Sequence, residues 1–179
     1  MKKWSVNTFN WLYYHRVRKK ESTQTVNIDT FFYPLDAIGH WNRIYGKDGF
    51  TQYQFILPKE TSYQGLEKIL GAIADSGKGS FLAVLKLYGK ANDNWLSFPM
   101  EGYSLALDFK IEKGLFELLD KLDEIVLNHQ GRIYLTKDVR VSKETFEKGY
   151  PQIENFRQYR KNNGMDKKFQ SLQSKRVGI

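Results

Sequence analysis

The 179-residue sequence contains no cysteine, which excludes disulfide bonds, thiolate metal ligands and a cysteine nucleophile. It also lacks the run of about 20 apolar residues that a membrane-spanning helix requires. Lys2 and Lys3 are not followed by the apolar stretch of a secretion signal. Because 41% of the residues are hydrophobic and 15% are aromatic, the composition is that of a globular protein. With no cysteine, no membrane-spanning run and no secretion signal, we expect it in the cytoplasm.

Acidic residues are fewer than basic ones: 20 Asp and Glu stand against 28 Lys and Arg, so the formal net charge is +8. The excess is concentrated in residues 15–20 (HRVRKK) and in residues 157–176, where seven lysines and arginines accompany one acid, Asp166. Such a balance suits a nucleic acid, an anionic lipid surface or a phosphorylated ligand. A solubilising surface explains the same charge without any partner, so charge alone does not decide among these.

Three segments alternate between apolar and polar or small residues: residues 50–57 (FTQYQFIL), 81–88 (FLAVLKLY) and 103–109 (YSLALDF). Successive side chains of a strand point to opposite sheet faces, so each segment predicts a strand with one apolar face. The other face carries paired amides, a lysine within apolar residues, and small residues, at Gln52, Gln54, Lys86, Tyr88, Ser104, Ala106 and Asp108. This composition indicates a surface shaped to meet a ligand.

The elements between these strands predict the fold. Residues 113–130 form the clearest predicted helix, which Gly131 ends, and residues 132–136 (RIYLT) predict a fourth strand. An earlier helix has one apolar stripe, made of Leu66, Ile69, Leu70 and Ile73. The order β-α-β-β-α-β predicts an α+β, ferredoxin-like antiparallel sheet with helices on one face. An N-terminal helix within residues 5–20 and a helical C-terminal tail complete the expected structure.

Two common types of site find no support in the sequence. The histidines, at positions 15, 40 and 129, show no metal-ligand spacing, so we predict no metal site. The third strand of an RNA-binding ferredoxin-like module places aromatic rings where this chain has Leu105 and Asp108. We therefore expect no nucleic acid partner, although a non-catalytic module that binds nucleic acid or anionic lipid stays open as the alternative.

Several ordered phrases resemble the C-terminal part of flavoprotein oxidoreductases of the vanillyl-alcohol oxidase and aldonolactone oxidase superfamily. Within it they are most similar to the decaprenylphosphoryl-ribose oxidases, which work with a reductase. The resemblance runs from about residue 13 to the C terminus. The phrases are residues 31–39 (FFYPLDAIG), 41–43 (WNR), 52–55 (QYQF), 86–89 (KLYG), 96–99 (LSFP), 102–109 (GYSLALDF), 131–134 (GRIY) and 137–138 (KD).

The resemblance implies roles for individual residues. Tyr134 and Lys137 would contact the flavin of FAD, with Lys137 as the catalytic cation. The substrate cavity would be lined by Gln52, Gln54, Lys86, Tyr88, Ser104 and Ala106. The family pattern Trp-Asn-x-Cys reads Tyr-Ser-Leu-Ala at residues 103–106 of this chain. This departure leaves a sugar, a polyol and a polyprenyl-phosphate sugar equally open as substrates.

The resemblance also implies an organisation. Residues 1–179 would be a single substrate-binding domain of an enzyme that oxidises a hydroxyl group by hydride transfer to flavin. Most of the FAD would be bound by an N-terminal domain of the same protein that is absent from this chain. The isolated chain is therefore expected to be inactive. Its expected partners are that domain and a reductase, and a peripheral position at the inner membrane is compatible with the cytoplasmic expectation.

Overall fold

The computed structural model describes residues 3–33, 36 and 39–179, and the chain divides into two units, Met1–Trp41 and Asn42–Ile179. The smaller unit contains helix α1 (Lys3–His15) and helix α2 (Ile28–Phe32). The predicted N-terminal helix is thus confirmed, but it ends before the basic residues 16–20. Every side chain described between Trp4 and Tyr33 is exposed to solvent.

The larger unit is built on one four-stranded sheet. Its strands are β1 (Phe50–Pro58), β2 (Ser80–Tyr88), β3 (Gly102–Lys110) and β4 (Arg132–Ile133). Their order in the sheet is β2-β3-β1-β4, and all neighbours are antiparallel. Helix α3 (Lys59–Ser76) follows β1, and helix α4 (Leu115–Asn128) follows β3. The predicted ferredoxin-like α+β fold is confirmed.

Both helices pack on one face of the sheet and form the core with it. The apolar sides of β1 and β3 supply Tyr53, Phe55, Leu57, Leu105, Leu107 and Phe109. Helix α4 contributes an almost unbroken apolar stripe, made of Leu115, Leu118, Leu119, Leu122 and Val126. Helix α3 contributes Ile69, whereas Leu70 of its predicted stripe is 52% exposed. Leu70 therefore lies on the flank of α3, outside the core.

Strand β2 is an open edge of the sheet. Leu85 pairs with Leu105 and Leu87 with Tyr103, so both leucines point to the helix side. They nevertheless remain 56% and 64% exposed, because the helices lie over the other strands. Lys86 is the one charged residue of β2.

The fourth strand is shorter than the five residues that the sequence predicts. The amide of Tyr134 still donates to the carbonyl of Gln54 (2.8 Å), but the chain then turns into a 3₁₀ helix at Leu135–Lys137. Its turn is closed by the Lys137 amide, which donates to the Tyr134 carbonyl (3.0 Å). Lys137 consequently lies beside the sheet and does not continue β4.

The C-terminal tail forms helices α5 (Lys143–Gly149), α6 (Ile153–Asn162) and α7 (Leu172–Val177). Arginines of the basic stretch 157–176 anchor it. Arg157 donates to the Gly178 carbonyl (2.8 Å), and Arg160 donates to the Phe169 carbonyl (2.5 Å). Arg176 donates to Asp138 (2.9 Å) and to the Val141 carbonyl (2.6 Å). The three arginines of this stretch therefore hold the tail together, whereas its four lysines are exposed.

A buried carboxylate joins the sheet to α4. Asp123 accepts a hydrogen bond from the Tyr53 hydroxyl (2.9 Å) and is paired with Arg140 (2.8 Å). Burial raises the pKa of Asp123 to about 6, and the Arg140 charge opposes that rise. A group whose pKa is raised on folding binds a proton more tightly in the folded chain, so it adds stability at low pH and loses it as pH rises.

We expect Asp123→Asn to change how stability depends on pH. Between about pH 4 and pH 6, the stability of the unmutated chain relative to the variant should fall as pH rises, by at most about 1.4 kcal/mol per unit. The limits are the ordinary pKa and the raised pKa of Asp123. Urea unfolding at stepped pH measures the difference, and two parallel curves across this window would contradict the assignment.

Helix α4 ends in an unusual arrangement. Gln130 has a left-handed backbone (φ 60°), and the amides of Gln130 and Gly131 donate to the carbonyls of Leu127 and Val126 (2.9 Å each). This pattern is a Schellman cap, in which glycine normally occupies the left-handed position. Here Gly131 comes one residue later, where an added Cβ would lie 2.5 Å from the Ile56 carbonyl oxygen.

The two neighbours should therefore respond oppositely to substitution. Gln130→Gly relieves the left-handed strain and should raise the free energy of unfolding by about 0.5–1 kcal/mol. Gly131→Ala forces a methyl group against β1 and should lower it by about 1–3 kcal/mol. Chemical denaturation of both variants measures the pair. Equal stability of the two variants would contradict the assignment of Gln130 as the left-handed residue of the cap.

Candidate functional site

The polar face of the sheet carries the predicted site residues together. In the strand register, Gln52 pairs with Asp108, Gln54 with Ala106, and Lys86 with Ser104. Residues directly opposite each other in a sheet project from the same face. The two glutamines, Lys86, Ser104 and Ala106 therefore share the face opposite α3 and α4, as the alternation of the sequence predicts.

A hydrogen-bonded chain crosses this face. The Lys137 ammonium (Nζ) donates to Gln52 Oε1 at 2.6 Å, and Gln52 Nε2 donates to Asp108 Oδ1 at 3.0 Å. An amide that accepts from a lysine and donates to a carboxylate is fixed in one orientation. The 3₁₀ helix after β4 is what brings Lys137 within reach of β1. A cation and an anion are thus joined through one neutral side chain.

A second polar pair lies closer to the middle of the sheet. Gln54 Nε2 donates to Ser104 Oγ at 3.0 Å, and both side chains are almost completely buried (4% and 0% exposed). Ala106, directly opposite Gln54, leaves space between Ser104 and Asp108 on β3. Buried polar atoms of this kind are hydrogen-bonded and rigid, which suits a surface that must orient a ligand.

Aromatic rings enclose one end of the polar face. Phe98, which is 4% exposed, lies 4.3 Å from the Tyr134 ring and 6.0 Å from the Tyr88 ring, measured between ring centroids. Tyr88 ends β2 and Tyr134 follows β4, so the two tyrosines belong to opposite edges of the sheet. Phe98 therefore spans between them, and the three rings form a wall beside Gln54 and Ser104.

The other end is enclosed by Tyr45 and Asp108. Burial, the neighbouring Asp108 charge and a hydrogen bond to Asp108 together raise the pKa of Tyr45 to about 12. Asp108 Oδ1 accepts from Gln52, whereas its buried Oδ2 has no hydrogen-bond partner within the part of the chain that the structure describes. A buried carboxylate oxygen in this position can accept a hydrogen bond from a ligand N–H or O–H group.

Lys86 differs from Lys137. Its side chain is exposed on the polar side of the edge strand, opposite Ser104, and has no ion pair or hydrogen bond to any described residue. A free ammonium group of this kind can bind a phosphate or another anion. Among residues 3–33, 36 and 39–179, no group of three His, Asp or Glu side chains could hold a metal ion.

The sequence interpretation placed Asp108 on the polar face without assigning it a role, and it did not include Tyr45 or Phe98 in the site. For Asp108 a signal was present, because it shares the parity of Ser104 and Ala106 and is the one acid of its strand. Phe98 and Tyr45 lie in irregular segments, where alternation carries no information about facing. Their positions depend on how those segments fold back over the sheet.

Comparison with known proteins gives the polar face a context. No family model matches the chain. Over 153 residues, or 86% of its length, the chain is 42% identical to decaprenylphosphoryl-beta-D-ribose oxidase of Mycolicibacterium smegmatis, and the match covers 33% of that protein. It is also 35% identical over 115 residues to a Streptomyces coelicolor protein described as "Uncharacterized protein in mprA 5'region", covering 64% of this chain and 31% of that protein.

Fold, polar face and comparison together define the chain as an α+β domain homologous to part of an oxidase. The oxidase is decaprenylphosphoryl-beta-D-ribose oxidase, and the resemblance predicted from the sequence is confirmed. The chain spans about a third of the length of the curated relatives it matches.

The chain of hydrogen bonds through Gln52 yields a prediction about energetic coupling. In a double-mutant cycle, Gln52→Leu and Asp108→Ala should be non-additive, with an interaction energy of about 0.5–3 kcal/mol in the free energy of unfolding. Gln52→Leu combined with Tyr88→Phe is the matched control, since Tyr88 is on the same face without a bond to Gln52. Additive effects in the first pair would contradict an energetic coupling between Gln52 and Asp108.

Proposed function

We propose that this chain is the substrate-binding part of an FAD-dependent oxidoreductase that oxidises a sugar or polyol hydroxyl by hydride transfer to flavin. The observation that carries the proposal is the row of hydrogen bonds Lys137–Gln52–Asp108. It lies on a sheet face of a domain that is 42% identical to an oxidase. The isolated chain would be inactive, because most of the FAD would be bound by another domain of the same protein.

The residues present fit a flat ring that carries electron-rich oxygen and nitrogen atoms. One end of the polar face offers the aromatic wall of Phe98 and Tyr134, and the neighbouring 3₁₀ helix offers an ammonium group. Tyr134 and Lys137 are the residues that would hold the flavin ring. When bound, FAD supplies the two-electron acceptor that oxidation of an alcohol requires and that amino-acid side chains lack.

Lys137 would act as the catalytic cation. Its bond to Gln52 uses one of its three N–H donors and fixes the position of the charge. The other donors can face an electron-rich oxygen or nitrogen on which negative charge develops. A preorganised charge needs no reorientation during the reaction and stabilises the transition state more than water does.

The remaining residues would bind and orient the substrate. Gln54 and Ser104 present fixed polar atoms beside the small Ala106, and Asp108 Oδ2 can accept from a substrate hydroxyl. Holding the reacting carbon at a fixed distance and angle lowers the entropic part of the barrier. The ring of Tyr88 would complete the wall on the side of β2.

The substrate class is a sugar, a polyol or a polyprenyl-phosphate sugar, and the free ammonium of Lys86 favours a ligand that carries phosphate. The M. smegmatis relative bears the name of such a substrate, decaprenylphosphoryl-beta-D-ribose. A reductase would be a further partner, and a quinone-like acceptor or oxygen would take up the electrons that the flavin receives. The alternative, a module for nucleic acid, is less well supported because Arg157, Arg160 and Arg176 bind carbonyl and carboxylate groups of the chain itself.

The decisive experiment uses the longer protein that contains both this chain and an FAD-binding domain. With decaprenylphosphoryl-beta-D-ribose as the probe, Lys137→Ala should slow flavin reduction by about 10²–10³-fold, because one preorganised charged donor is lost. Stopped-flow absorbance of the flavin measures the rate. Gln52→Leu should lower it less, since Lys137 keeps its charge but not its position.

Lys121→Ala is the matched control for this experiment, because Lys121 is an exposed lysine of α4 on the far side of the sheet. It should leave the rate unchanged. Flavin reduction at the unmutated rate without Lys137 would refute the catalytic role assigned to it.

A further inference from the structure

Helix α1 exposes an unusual amount of aromatic surface. Five of its thirteen residues are aromatic, which is far above the 15% of the whole chain. Its large apolar side chains are each more than half exposed: Trp4 (67%), Phe9 (62%), Trp11 (60%), Leu12 (58%), Tyr13 (56%) and Tyr14 (79%). Exposed aromatic and apolar side chains in this number indicate a site of interaction with another molecule.

The charge around this helix has one sign. Residues 1–20 contain six lysines and arginines and no acid, and the first acid of the chain is Glu21. Four of the six cations follow α1 directly, at Arg16, Arg18, Lys19 and Lys20. The guanidinium carbon of Arg16 lies 4.5 Å from the centroid of the Tyr13 ring, and that ring stacks on Phe9 (5.9 Å). Arg16, Tyr13 and Phe9 thus form one cationic and aromatic surface.

We propose that α1 and residues 16–20 form a binding surface for anionic lipid. Tryptophan and tyrosine prefer the boundary between lipid headgroups and acyl chains, and lysine and arginine are attracted to the negative charge of that boundary. No described helix is long and apolar enough to cross a membrane. With thirteen residues, α1 is about 20 Å long, so it lies along the lipid surface.

Nucleic acid is the other polyanion that this charge could meet, and the side chains argue against it. The aromatic residues of α1 are spread around the helix, as Trp4 and Trp11 lie on one side and Phe9 and Tyr13 on another. A helix in the headgroup layer buries one apolar face, and Trp4, Trp11 and Leu12 share the side of α1 that would form this face. Stacking on bases would instead require rings arranged along a groove or sheet.

The test measures binding of the 179-residue chain to two kinds of vesicle, phosphatidylcholine alone and phosphatidylcholine mixed with phosphatidylglycerol. Cosedimentation should show binding to the anionic vesicles only. A chain with Trp41→Phe and Trp95→Phe reports on α1 by fluorescence, because Trp4 and Trp11 are then its only tryptophans. Their emission should shift to the blue on anionic vesicles as the rings leave water.

Two charge variants provide the comparison. One replaces the cations after α1 by glutamine, at Arg16, Arg18, Lys19 and Lys20. The other removes four exposed lysines of the tail, at Lys161, Lys167, Lys168 and Lys175. Both lose four positive charges. The first should weaken binding to anionic vesicles on the order of 100-fold, because each surface cation contributes severalfold, and the second should change it little.

A third variant, Trp4→Ala with Trp11→Ala, keeps all the charge and should also weaken binding. The proposal is overturned if the emission of Trp4 and Trp11 does not shift, or if the tail variant loses as much affinity as the first. It is also overturned if polyuridylic acid binds more tightly than the vesicles and depends on the same cations. The proposal does not rest on the proposed oxidoreductase function, and the Lys137 experiment tests that function separately.

Discussion

The antiparallel pairing of β1 with β3 determines where everything else lies. It extends over nine residue pairs, from Phe50 opposite Lys110 to Pro58 opposite Gly102. A slip by one residue would turn the polar side chains into the helical core and expose the apolar ones. The Tyr53 hydroxyl reinforces the register, because it reaches through the core to the buried Asp123. The arrangement of the polar face is thus specified by packing on the opposite face.

That face combines opposite charges without placing them in contact. Lys137 and Asp108 both bond to Gln52, so the amide separates the cation from the anion while restraining both. A direct ion pair would satisfy each charge internally and leave less of either for a ligand. The separation leaves spare N–H donors at one end and, at the other, a carboxylate oxygen that no described residue hydrogen-bonds. A ligand with both an electron-rich group and a hydroxyl would complete the set.

The strands, and the sheet face on which each side chain lies, could be predicted from the sequence. Side chains of a strand alternate with a period of two, and the polar residues of the three segments follow that period. The 3₁₀ helix at Leu135–Lys137 could not be predicted. The residues 132–136 have the same alternation whether the strand ends after two residues or after five. The bond between Gln52 and Asp108 depends on register, which non-local pairing sets. The exposure of Leu70 depends on which flank of α3 has a neighbour. The position of Phe98 depends on how an irregular loop folds over the sheet.

The position of Lys86 on the open edge strand also affects self-association of the protein. Leu85 and Leu87 flank it with exposed apolar side chains, and no strand of the described residues pairs with the outer backbone of β2. A lone charge in such a strand opposes edge-to-edge pairing with another copy, as gatekeeper lysines do in many sheets. Replacing Lys86 would therefore alter colloidal behaviour as well as ligand affinity. Loss of activity in such a variant has to be separated from self-association before it is assigned to chemistry.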